Sequence, residues 1–237
     1  MKKEYRTSTI SERKEFYESE FSIKKIKKWF KDNKMKLPQL CALDPGTKTG
    51  IMKNKEWKDT LFYFEFKDLK KKVQKYLPEG VYYDRNVYKN PKKILENFRF
   101  KQWIKQELAF DLDADNIKCI CSNNKKICDE CINKVYKQTK KMEEELKKIG
   151  FSDLKIVYSG RGFHIHVLNK KAYLLNSKER KNIANKFKKY PIDPWVSIGY
   201  IRLIRMPYSL NGIVSRVVYP IKRKFTYKKT IPKFLKD

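Results

Sequence analysis

Asp111 and Asp113 close an apolar run, Leu108-Ala109-Phe110-Asp111-Leu112-Asp113-Ala114-Asp115, and four cysteines follow at once: Cys119, Cys121, Cys128 and Cys131. In a strand, side chains alternate between faces, so Leu108, Phe110, Leu112 and Ala114 can enter a core while Asp111 and Asp113 share the other face. The two carboxylates then stand about 7 Å apart along the backbone, close enough to hold one or two divalent cations. The plainer alternative is the solvated face of an amphipathic strand. Asp is poor in strands, however, and two like charges on one face repel unless a cation neutralises them. A calcium loop of the EF-hand kind is excluded: position 116 is Asn where that loop needs Gly, and its twelfth position is Ser122 rather than Glu.

The cysteine spacing, Cys119-x-Cys121-x6-Cys128-x2-Cys131, supplies four thiolates in a polar loop and suits structural zinc of tetrahedral geometry. Four protein ligands leave no open position for substrate, so such a zinc braces the chain instead of reacting. Cys41 stands apart and reads as a small core residue.

A second cluster follows at Ser159-Gly160-Arg161-Gly162-Phe163-His164. Glycines allow close backbone approach, and Arg and His donate hydrogen bonds to phosphate. The sequence is no dinucleotide fingerprint, because Ile165 stands where the third glycine belongs. His164 and His166, the two histidines of the chain, share one strand face; His166 reads equally well as a satisfied core residue. Paired carboxylates with a phosphate-cradling turn point to two-metal phosphoryl transfer, which usually employs a third carboxylate. Asp193, in a loop between Ile192 and Pro194, is the best downstream candidate.

These residues need elements to position them. Ile23, Ile26 and Phe30 predict a helix after Ser22, stopped at Leu37-Pro38. Thr60 to Phe66 and Val81 to Tyr83 read as strands, Lys67 to Tyr76 as a helix, and Pro91 opens a helix expected to run to Gln106. Val135, Met142, Leu146 and Ile149 mark a helix closed by Gly150. Strands follow at Leu154 to Tyr158 and Phe163 to Val167, then a helix from Ser177 ending before Pro191, then strands at Ile201 to Arg205 and Arg216 to Ile221. The expectation is an α+β (mixed α/β) core forming a single domain over 1–237, with a zinc-binding insertion at about 116–133.

With 57 Lys and Arg against 27 Asp and Glu among 237 residues, the formal charge is +30, which calls for a polyanionic partner, nucleic acid above all. No apolar segment is long enough for a membrane span or has the form of a signal peptide. The expected protein is therefore soluble, intracellular and not membrane-bound.

From about Tyr76 to Pro220 the chain resembles the catalytic small subunit of the archaeal and eukaryotic type of DNA primase. The resemblance rests on Val81-Tyr82-Tyr83, the strand Glu107 to Asp115, the four-cysteine loop, Ser159 to His164, and Arg202-Leu203-Ile204-Arg205-Met206-Pro207-Tyr208-Ser209-Leu210-Asn211-Gly212. It implies a primase-polymerase core of mixed sheets flanked by helices, and synthesis of short RNA or DNA primers on single-stranded DNA from nucleoside triphosphates. Asp111, Asp113 and Asp193 would hold Mg2+ or Mn2+, and Ser159, Gly160, Arg161, Gly162 and His164 would grip the triphosphate. Arg202, Arg205 and Ser209 would line the nucleotide or template side. A large-subunit partner is implied, as is a cytoplasmic (archaeal) or nuclear (eukaryotic) location.

The chain departs from the family pattern in a glycine turn one residue shorter, in Asn211 and Ile213, and in a short stretch before Asp193 that implies a reduced or absent accessory helical subdomain. Two other functions fit the same residues: a stand-alone primase-polymerase or repair polymerase, and a non-catalytic zinc-braced nucleic-acid-binding module.

Overall fold

A computed structural model describes residues 5–46, 61–117 and 127–236. Those residues group into two compact units interleaved along the chain. The first unit takes 1–104, 203–219 and 226–237, and the second takes 105–202 and 220–225.

In the first unit, α1 (Ile10–Ser19) opens with a capping box in which Thr9 and Glu12 satisfy each other's backbone N–H groups. Helix α2 (Ile23–Asp32) follows, its first turn capped by Ser22. Strand β1 (Leu40–Asp44) was hidden from periodicity because Leu40, Cys41, Ala42 and Leu43 are all buried, a continuous run that does not alternate. Strand β2 (Phe62–Glu65), helix α3 (Leu69–Tyr76) and strands β3 (Gly80–Asp84) and β4 (Asn86–Tyr88) come next.

Helix α4 (Pro91–Asn97) stops nine residues short of the expected end at Gln106. Phe98 turns left-handed at φ 53 and caps it, and Trp103–Gln106 forms strand β5 instead. Strand β6 (Leu108–Asp113) then carries the carboxylates.

Helix α5 (Asp129–Lys148) buries Ile132, Val135, Met142 and Leu146. Ile149, expected on that face, is its C-cap and lies 45% exposed. Gly150 at φ 97 reverses the chain as expected. Strands β7 (Leu154–Tyr158) and β8 (Gly162–Val167) form a hairpin, followed by α6 (Ser177–Lys186) and a short α7 (Pro194–Ile198) where a loop was expected.

Strand β9 is confined to Leu203–Arg205. The run from Arg216 to Ile221, expected as one strand, divides: β10 (Leu210–Asn211) pairs with β11 (Arg216–Val217), while β12 (Tyr219–Ile221) joins another sheet.

The first unit's sheet has strand order β2-β1-β3-β9, and the second's has β12-β7-β8-β6. The pairings whose register is described are antiparallel. In the second sheet Phe110 and Leu112 of β6 and Phe163, Ile165 and Val167 of β8 are buried on one face. There the Tyr136 ring of α5 lies 5.2 Å from that of Phe163, and Phe187 lies 5.8 Å from Phe110. The molecule is thus α+β. No described helix is long and apolar enough to cross a membrane.

Candidate active site

Strand β6 lies at the edge of its sheet, so one row of its N–H and C=O groups points away from β8 and must find partners. The segment 191–193 supplies them. Asp113 N–H donates to the Pro191 carbonyl at 3.2 Å, Asp193 N–H donates to the Asp111 carbonyl at 2.8 Å, and Ile192 bridges Leu112 in antiparallel register. Residues opposite one another in such a ladder share a face. Asp193 therefore lies on the face that bears Asp111 and Asp113. On the other side of β6, His164 is the direct partner of Asp111 and Gly162 that of Asp113. Asp193, Asp111 and His164 form one rung, and Pro191, Asp113 and Gly162 the next.

A pocket of about 260 Å³ opens at this face, lined by Asp111, Asp113, Asp115, Asn116, Ile192, Asp193 and Pro194. At roughly 30 Å³ per water, it accommodates ions with several waters. Two of the three carboxylates have one oxygen held by a backbone N–H, and the third faces a histidine. His164 Nε2 lies 3.5 Å from Asp111 Oδ1, Asp115 N–H donates to Asp113 Oδ1 at 3.0 Å, and Trp195 N–H donates to Asp193 Oδ1 at 2.8 Å. The side chains do not close on a point: among the described residues, no three His, Cys, Asp or Glu side chains make a ready cage for one ion.

The donor set nonetheless fits hard divalent cations, being all oxygen and partly open to solvent. Four carboxylates gather at this one pocket in a chain with a twofold excess of basic residues, a concentration of like charge that a cation would relieve.

The glycine turn is a two-residue hairpin connection between β7 and β8. Ser159 N–H donates to the Gly162 carbonyl at 3.0 Å, and Gly162 N–H donates to Ser159 Oγ at 3.2 Å. Gly160 has φ 102 and Arg161 does not, the φ pattern of a type II′ turn, whose first central position favours Gly. Gly162 meets a different demand: a Cβ there would overlap the Leu112 carbonyl oxygen and stand 2.9 Å from the Asp113 Cα.

Both glycines thus have reasons internal to the fold, beyond the approach of a phosphate. Arg161, carried on the turn, pairs with Asp115 and lies 3.8 Å from Asp113 Oδ1, at the rim of the pocket. Asp115 and Asn116 entered no sequence-based role at this pocket, although Asp115 completes the Asp-x-Asp-x-Asp pattern that could have signalled it.

His164 is buried, 3% exposed, beneath Asp111. His166 is a core residue, its Nδ1 2.6 Å from Glu107 Oε1, with both groups buried. Arg180, which no motif marked, is fully buried and donates to the carbonyls of Leu175 at 2.9 Å and of Gln106, at the end of β5, at 2.6 Å.

Arg202 ends the main segment of the second unit. Arg205 and Ser209 belong to the first unit, where the Arg205 guanidinium lies 5.0 Å from the Tyr82 ring centroid and the buried Ser209 hydroxyl donates to the Met206 carbonyl at 2.8 Å. Of the zinc-ligand candidates, Cys119 and Cys121 lie outside the described residues. Cys128 and Cys131 flank the start of α5 with Sγ atoms 3.7 Å apart. Two thiolates on a tetrahedral zinc at about 2.3 Å stand roughly 3.8 Å apart, so this half of the set fits the metal.

A family model described as DNA primase small subunit matches residues 110–192, from β6 through the hairpin to the residue before Asp193. A protein of Archaeoglobus fulgidus named an uncharacterized DNA primase small subunit-like protein is 36% identical, with 91% of this chain aligned to 85% of that protein. The DNA primase small subunit PriS of Pyrobaculum aerophilum is 30% identical over 74% of this chain and 68% of its own. That of Pyrococcus furiosus is 28% identical over 98% of this chain and 67% of its own. At 36% identity over most of both chains, the match shows that the chain belongs to the DNA primase small-subunit family.

Proposed function

We propose that this chain is the catalytic subunit of a primase, joining nucleotides into a primer on a single-stranded DNA template by two-metal nucleotidyl transfer. The observation that carries this reading is the rung on which Asp193, Asp111 and His164 share one face, with Asp113 one step along.

Asp111, Asp113 and Asp193 would hold Mg2+ or Mn2+, which supplies charge neutralisation at the phosphates and acidifies the attacking 3′-hydroxyl. Arg161, on its hairpin, has the reach to exchange Asp115 for a phosphate oxygen, and its planar fork suits that anion. His164 orients Asp111 and is the second donor on the triphosphate side. The net charge of +30 favours association with the template backbone. Four thiolates from Cys119, Cys121, Cys128 and Cys131 would hold a structural Zn2+ that anchors the loop between β6 and α5. A separate large subunit is the expected partner, in keeping with the named relatives' description as small subunits.

Incorporation of labelled ATP and dATP on a single-stranded template, with and without Mg2+ or Mn2+, tests the reading. Template-dependent incorporation that requires the cation is expected. Purified protein that extends nothing with either nucleotide, alone or with its large subunit, would refute it.

A further inference from the structure

Beside the carboxylate pocket the sequence reads Pro194-Trp195-Val196-Ser197-Ile198-Gly199-Tyr200-Ile201-Arg202, and its two largest rings are left outside. Val196 and Ser197 are buried and anchor α7, whereas Trp195 is 58% and Tyr200 63% exposed. The two rings contact each other, with centroids 5.5 Å apart and planes inclined at 42°. Large aromatic surface in water is unfavourable, and core packing does not require it here.

The pair is also held rigidly. The Trp195 carbonyl accepts from Gly199 N–H at 3.2 Å and from Ile201 N–H at 3.1 Å, closing the segment on itself. Gly199, at φ 97, is pinned by the buried Gln106, whose Nε2 donates to its carbonyl at 3.0 Å; a Cβ at Gly199 would overlap Gln106 Oε1. The Trp195 N–H is the group that orients Asp193. One short piece of backbone thus sets both the third carboxylate and the exposed rings.

We propose that Trp195 and Tyr200 form a stacking platform for unpaired bases of the single-stranded template beside the carboxylate pocket. The inference rests on the nucleotidyl-transfer reading of that pocket and assigns it a strand-binding subsite. The occupant follows from charge and shape. Exposed rings in a chain of net charge +30, with Arg202 two residues beyond Tyr200, are the combination that binds single-stranded nucleic acid without sequence preference. A pre-ordered aromatic pair also loses little conformational entropy when a base lands on it.

The test is fluorescence anisotropy of a labelled single-stranded oligonucleotide with the full chain, over a series of salt concentrations. The double variant Trp195→Ala, Tyr200→Ala should bind roughly tenfold to a hundredfold more weakly, while the slope of log affinity against log salt stays unchanged, because stacking and not phosphate contact has been removed. The Trp195→Phe, Tyr200→Phe variant should recover most of the loss. Binding within twofold of the parent, or a loss accompanied by a shallower salt slope, overturns the platform. Parent protein that binds the strand yet incorporates no nucleotide overturns the polymerase reading alone, and parent protein that binds no strand overturns both.

Discussion

Asp193 stands directly across from Asp111 on the outer edge of β6, joined by a 2.8 Å hydrogen bond from its own N–H to the Asp111 carbonyl. They stand 82 positions apart in the chain, yet the ladder register leaves their side chains on one face. The pairing satisfies an edge strand and delivers a carboxylate in the same act.

Replacing either carboxylate by its amide keeps the shape and removes the charge. Asp111→Asn and Asp193→Asn should each reduce primer synthesis by about 100-fold or more, the scale of removing one group that stabilises transition-state charge. Asp115→Asn should cost far less, since Asp115 is the most exposed of the four and pairs with Arg161. Single-turnover incorporation measures the effect, and unchanged circular dichroism would show that folding is intact.

At Gly162 the limit is steric. Gly162→Ala drives a methyl group into the Leu112 carbonyl, so β8 must move away from the carboxylate strand. A loss of about 1–3 kcal/mol or more is expected in urea denaturation, together with weaker divalent-cation binding. Gly160→Ala carries a different penalty, about 1 kcal/mol for a positive φ, and should leave cation binding near the parent level.

Zinc content distinguishes the brace from idle thiols. Purified protein should carry one zinc per chain, and Cys128→Ser or Cys131→Ser should lower that content and the melting temperature together. Full metal content in both variants would remove these cysteines from the site.

Glu145, Lys189 and Tyr190 make a small cluster in the second unit. Lys189 Nζ lies 2.6 Å from Glu145 Oε1, and the Tyr190 hydroxyl donates to the same oxygen at 2.8 Å. The hydrogen bond from Lys189, then that from Tyr190, holds the Glu145 carboxyl below its usual range. Its contribution is therefore complete above the unfolded value and is lost as pH falls through the lower, folded one.

Burial first, and the Glu145 hydrogen bond second, push the Tyr190 phenol up from 10 to about 12. Between those values the unfolded chain has lost more protons than the folded one, so stability falls as pH rises across that window. Denaturation against pH should show Glu145→Gln flattening the acid limb, and Tyr190→Phe reducing the decline between pH 10 and 12.

Much of the site was legible because it is local. Alternation in Leu108–Asp113 separates carboxylates from core, Ser159-Gly160-Arg161-Gly162 spells a turn, and Ser22 precedes the helical spacing of Ile23, Ile26 and Phe30. These features depend on spacing along one backbone, which composition and period reveal. Local signals misled where a single residue decides a boundary: Phe98 ends α4 in a left-handed turn that its residue type does not advertise.

Sequence by itself therefore determined the paired carboxylates of β6, their strand and the turn beside them, since each follows from alternation or from glycine chemistry within a few residues. Only the tertiary structure decided that β6 would be an edge, that 191–193 would pair with it in the register that turns Asp193 inward, that His166 would be buried on Glu107, and that Trp195 and Tyr200 would stay in solvent. Those outcomes depend on which distant segments satisfy which backbone groups, a choice made by the packing of the whole unit and invisible to any window of sequence.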